Sequence, residues 1–105
     1  MRHFLLTLVL FPVLVLAADL EYRLTIRDHR FKPAELRVPA GKKIKLIIDN
    51  HDASAEEFES HELNREKVIP PKTTGTVYIG PLSPGRYPFI GEFHSDTAKG
   101  VLIAE

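Results

Sequence analysis

In Leu20-Glu21-Tyr22-Arg23-Leu24-Thr25-Ile26-Arg27, apolar side chains stand at every second position and polar ones fill the gaps. Successive side chains of a strand point to opposite faces, so this order gives one buried face and one wet face. The same alternation returns downstream. Leu36 and Val38 form a short run, and Lys42 to Asn50 places Ile44, Leu46 and Ile48 inward. Ala55 to Ser60 carries Phe58, Lys67 to Ile69 stops at Pro70-Pro71, and Thr74 to Ile79 alternates again. Tyr87 and Phe89 open a strand that leads into a loop from Gly91 to Gly100, and Val101 to Ala104 closes the chain.

Between these runs lie turn-forming residues: Asp28 to Pro33, Pro39-Ala40-Gly41, and Pro81 with Pro84-Gly85. Short strands at intervals of about 8–12 residues, with no sustained helical period, predict an all-β sandwich. About seven or eight strands are expected, with one short helical turn within Ser60 to Lys67.

Outward from the first strand toward the N-terminus, Arg2 and His3 precede the apolar stretch Phe4 to Leu16, which ends in Val15-Leu16-Ala17. That order reads as a signal peptide, residues 1–17, cleaved after Ala17. The run is shorter than the roughly 20 apolar residues of a spanning helix, and Pro12 interrupts it. The remaining 18–105 segment is sized for one domain with one core. The sequence has no cysteine, so neither a disulfide nor a thiolate ligand is available to it.

The 14 basic and 14 acidic residues balance, which removes the electrostatic case for nucleic acid. Their placement is uneven. Asp49, Asp52, Glu56, Glu57, Glu59, Glu62 and Glu66 crowd one segment, whereas bases concentrate between Arg23 and Lys45. The serines lack a Gly-x-Ser-x-Gly elbow, and no glycine-rich phosphate loop is present. Histidines outside the leader are His29, His51, His61 and His94, all in segments read as loops or strand ends.

Ile44 to Asn50, Glu57-Phe58-Glu59-Ser60, Glu66-Lys67-Val68-Ile69-Pro70, Gly80 to Tyr87, and Gly91-Glu92-Phe93-His94-Ser95-Asp96 with Gly100-Val101-Leu102 together resemble the EfeO-type cupredoxin-like domains. The resemblance implies a Greek-key β-sandwich over 18–105 and a periplasmic role in ferrous iron uptake, binding copper or iron through carboxylates and histidine. It also implies a membrane iron permease and a periplasmic iron-binding protein as partners, with contact to the membrane only through them. Fe(II) oxidation would be an assisting role.

Set against the usual cupredoxin ligand pattern, Glu56 takes the first histidine's place and Gly91 the cysteine's. His94 takes the loop histidine's place, and Ala98 or its neighbours the methionine's. Blue copper needs the thiolate, so a type-1 centre is excluded; imidazole and carboxylate suit Fe(II), Fe(III), Mn(II), Cu(II) or Zn(II). By strand parity Glu57 and Glu59 share one face, while Glu56 shares the other with Phe58. If the last loop starts extended, Glu92, His94 and Asp96 share a parity and Phe93 packs inward. The expected metal site is therefore Glu56 or Glu59 with Glu92, His94 and Asp96. His29, His51 and His61 are read as exposed loop residues, with His51 or His61 beside the acidic segment available to a second surface site. A contrasting reading has no metal and uses residues 49–66 to dock a basic partner.

Overall fold

The computed structural model describes residues 4–12 and 20–105, so the expected cleavage point after Ala17 lies outside the described residues. Residues 4–12 form neither helix nor strand, and their large apolar side chains are exposed.

Nine strands are described: β1 (Leu20–Arg27), β2 (Arg30–Lys32), β3 (Glu35–Val38), β4 (Ile44–Asn50), β5 (Glu56–Ser60), β6 (Arg65–Ile69), β7 (Thr74–Ile79), β8 (Gly85–Gly91) and β9 (Lys99–Ala104). They form two sheets, ordered β2-β1-β4-β7 and β3-β9-β8-β5-β6. The chain passes between the sheets repeatedly, so consecutive strands often lie in different layers, and the expected all-β sandwich is what folds.

Alternation explains which side chains meet between the layers. Leu24 and Ile26 of β1, Ile44, Leu46 and Ile48 of β4, and Val77 and Ile79 of β7 are buried from one sheet. Phe58, Ile69, Phe89 and Leu102 are buried from the other. A fully buried side chain of this size contributes about 1.5–3 kcal/mol. At the β1 start the pattern weakens, because Leu20 sits at the strand's open end and is 41% exposed.

Strand β2 is an addition to the expected set. It holds only Arg30-Phe31-Lys32, pairs antiparallel with β1, and contributes a single buried side chain, too short a run for periodicity to register. Phe31 nevertheless centres an aromatic cluster, edge-on to Phe58 at 6.2 Å and to Phe89 at 5.0 Å between ring centroids. Edge-to-face packing aligns the positive ring edge with the negative ring face. The helical turn expected within Ser60 to Lys67 is instead a hydrogen-bonded turn over 61–64, where the Ser60 hydroxyl accepts the Leu63 N–H at 3.1 Å. Leu63 is buried, which pulls the turn down onto the core.

Candidate metal centre

One end of the sandwich gathers β5, the loop after β8 and the β1–β2 turn. Glu56 opens β5 on the inward face that Phe58 also uses, and it is only 1% exposed. A buried carboxylate needs partners, and Glu56 has three. Oε1 accepts the backbone N–H of Glu57 at 3.0 Å and of Phe93 at 2.9 Å, while Oε2 lies 2.6 Å from His94 Nδ1.

The Glu56 carboxylate lies where a side chain at position 91 would be. A Cβ built on Gly91 would meet Glu56 Cδ at 2.5 Å, Ala98 Cβ at 2.6 Å and Glu56 Oε2 at 2.7 Å. By the expected correspondence, Gly91 takes the place of the cupredoxin cysteine, and Ala98 or its neighbours that of the methionine. The two small residues leave a niche, and one long acidic side chain from the neighbouring strand β5 fills it.

After Gly91 the chain coils rather than extending. Glu92–His94 form a single 3-10 turn, followed by a second turn in which the Thr97 and Ala98 N–H groups donate to the His94 carbonyl at 3.1 and 2.8 Å. This corrects the expected parity. In a 3-10 turn successive side chains rotate by about a third of a circle, so Glu92 and His94 point different ways and Phe93 is 50% exposed instead of packed inward. His94 reaches Glu56, whereas Asp96 is exposed on the loop.

Glu92 joins a different group. Glu59 and Glu66 sit directly opposite each other in the β5–β6 ladder, with Glu57 one step along the same outer face. Glu57, Glu59 and Glu66 place ligand oxygens within 4.8 Å of one another, the grouping of three that meets this spacing among the described residues. The hydrogen bond to Glu92, burial, and the charges of Glu92 and Glu66 raise Glu59 above the usual glutamate range. Glu57 is raised likewise, first by its hydrogen bond to Glu66. The five expected ligands thus divide: Glu56 and His94 inside the end of the sandwich, Glu59 and Glu92 outside, and Asp96 with neither.

His29 was read as an exposed loop residue, and it remains exposed, but its ring stacks on His94 with centroids 3.6 Å apart and planes 12° from parallel. Its backbone is fixed by a relay. Asn50, buried, donates through Nδ2 to the Ser54 and Ile69 carbonyls and accepts the Asp52 N–H through Oδ1. Asp52 in turn accepts the N–H groups of Asp28 at 2.8 Å and His29 at 2.9 Å. Burial pushes Asp52 up, but these two donors, together with the charges of His29 and Lys72, outweigh it and hold the carboxyl below the usual aspartate range. No sequence signal pairs residue 29 with residue 94, because the contact is made across the sandwich end.

His51 is engaged elsewhere. Arg27 Nη2 can only donate, so His51 Nδ1 accepts at 2.8 Å and Nε2 donates to Asp49 Oδ2 at 2.8 Å. The His51 hydrogen bond holds Asp49 below its usual range against burial. His61 is exposed beside Glu59.

A cupredoxin-like domain model matches residues 3–104. The chain belongs to the cupredoxin-like family. An uncharacterised protein of Rickettsia prowazekii (strain Madrid E) is 49% identical over 84 residues, covering 80% of this chain and 67% of that protein. Auracyanin A, a "blue" copper protein from Chloroflexus aurantiacus, is similar with a TM-score of 0.72 at 15% identity, over 84% of this chain and 100% of its own. A chain from a heme-copper terminal oxidase dimer solved by cryo-EM gives 0.68 at 22% identity; 83% of this cupredoxin-like chain matches 65% of that one. At these identities the solved structures establish the fold and leave the ligands to this chain's own residues.

Copper is the ion that the cupredoxin-like fold suggests. A type-1 centre does not fit: the chain has no cysteine, and Glu56 occupies the space beside Gly91 where a thiolate would stand. By donor type, the residues present suit a divalent ion that takes oxygen and nitrogen: one carboxylate hydrogen-bonded to one imidazole, with a second imidazole stacked on that ring.

Proposed function

We propose that this cupredoxin-like protein binds a divalent transition metal, Cu(II) or Fe(II), through Glu56 and His94. The reading places it in the periplasm after removal of residues 1–17, serving ferrous iron uptake beside a membrane iron permease and a periplasmic iron-binding protein. The observation that carries it is the Glu56 carboxylate, buried to 1% exposure yet held 2.6 Å from His94 Nδ1 in the niche left by Gly91 and Ala98. A buried carboxylate is costly to keep unless it is paired, and a ligand role is one reason to keep it. Glu56 supplies a hard oxygen and His94 a borderline nitrogen. The bound ion would supply Lewis acidity or one-electron chemistry, and the residues themselves orient and screen it from bulk water.

Glu57, Glu59, Glu66 and Glu92 support a second reading for the outer face. Like charges directly opposite in a ladder are destabilising, so this face gains from a cation or a basic partner surface. It suits transient capture of a hard ion, or docking to one of the partner proteins.

Titration calorimetry of the protein with Cu(II) and Fe(II), repeated on Glu56→Gln and His94→Ala, tests the reading. Binding tighter than about 1 mM, a free energy near −4 kcal/mol, is expected for wild type and is weakened in both variants. Equal binding by wild type and both variants would move the site away from Glu56 and His94.

A further inference from the structure

The geometry points to His29 as a third metal-binding side chain, which with Glu56 and His94 makes a two-imidazole, one-carboxylate set for a divalent ion. This rests on the reading of Glu56 and His94 above and adds a residue from a different part of the chain.

The β1–β2 connection is a two-residue hairpin turn, with Asp28 at φ 53° and His29 at φ 57°. Turns with both central residues at positive φ favour asparagine, aspartate and glycine, and glycine above all at the second position. Histidine is among the non-glycine residues enriched at positive φ, yet it adopts that region at more cost than glycine, so its surroundings must hold it in place. The surroundings do so from two sides. Asp52, from the β4–β5 loop, accepts both N–H groups of the turn, and the Thr97 hydroxyl, from the loop that carries His94, donates to the His29 carbonyl. The turn is thus tied to both segments that supply Glu56 and His94.

The imidazole itself carries the second half of the argument. It lies face to face with His94 at 3.6 Å, and its Nε2 makes only a long 3.3 Å contact with Ser54 Oγ, so this nitrogen is weakly held and the ring is open to solvent. Its position covers the pair that would receive the ion. Glu56, His94 and His29 do not bring three ligand atoms within 4.8 Å of one another, a condition met among the described residues by Glu57, Glu59 and Glu66. For all three to reach one ion, the His29 ring must turn about its own side-chain bonds, while its backbone is held by Asp52 and Thr97.

His29→Asn is the appropriate variant, because asparagine accepts the left-handed turn position and removes the ring. Cu(II) is the probe, and pulsed EPR of the loaded protein counts imidazoles. Wild type is expected to show two imidazole couplings, and H29N and H94A one each, with H29N binding Cu(II) about 10–100-fold more weakly, the range seen when a group supporting a metal site is lost. Metal-free H29N keeps the wild-type unfolding midpoint, which separates ligation from a purely structural stack. Two couplings in H29N at wild-type affinity would overturn the role of His29 while leaving Glu56 and His94 in place. Absence of any Cu(II) uptake by wild type would overturn both.

Discussion

Gly91→Ala adds a single methyl group at the place where this sandwich departs most from a copper-thiolate design. The new Cβ would lie 2.5 Å from Glu56 Cδ and 2.6 Å from Ala98 Cβ, both far inside contact distance. Ala98 cannot yield readily, because its side chain is one carbon fixed to a buried backbone that is bonded back to Gly91 N at 2.9 Å. Glu56 must then move, and its carboxylate holds the N–H groups of Glu57 and Phe93 and the imidazole of His94. Overpacking of this kind costs about 1–3 kcal/mol. Leaving a buried polar group without its partner costs roughly another 1–3 kcal/mol. The expected loss is about 2–6 kcal/mol, read as a lower urea midpoint at unchanged slope. The decisive comparison is a double-mutant cycle with Glu56→Ala: removing the carboxylate should relieve most of the alanine clash, giving a coupling energy of at least about 1 kcal/mol between positions 56 and 91. G91A within about 0.5 kcal/mol of wild type, or strictly additive with E56A, would show that the carboxylate does not occupy the niche.

Two other expectations concern charge and turns. Because Glu59 has a raised pKa in the folded protein, folding is penalised once it ionises: stability falls as pH rises from the usual glutamate value through the raised one, and the penalty is complete above the raised one. Glu59→Gln should therefore raise the thermal midpoint at pH 7 and leave it unchanged at pH below the glutamate range; a lower midpoint at pH 7 would refute the repulsion. Asp52→Ala removes the acceptor for two backbone donors of the β1–β2 turn and should cost about 1–3 kcal/mol by chemical denaturation. As the Asp52 pKa is lowered, its contribution is present above the usual aspartate value and fades as pH falls through the lowered one, so D52A and wild type should converge in acid.

Sequence alone determined the class of fold and its inward set. Alternation is local: whether Leu24, Ile26, Ile44, Leu46, Ile48, Phe58 and Phe89 face the core follows from each strand's own period, and all seven are buried. It also determined the exclusion of blue copper, since ligand chemistry needs an atom the chain does not contain. Pairing Glu56 with Phe58 on one face, and Glu57 with Glu59 on the other, was legible for the same reason.

What followed residue 91 was not legible, because a loop's side-chain directions depend on backbone turns that alternation does not describe. The 3-10 turn sent Glu92 outward and His94 to Glu56. Only the tertiary structure brought residue 29 against residue 94, and only the β5–β6 register set Glu59 opposite Glu66. The first contact joins segments far apart in the chain, whose relative positions are fixed by packing across the sandwich; the second lies within one pair of strands, where the ladder register decides it. The missing cysteine of position 91 is readable in the sequence as an absence; that Glu56 fills its place is a fact of packing.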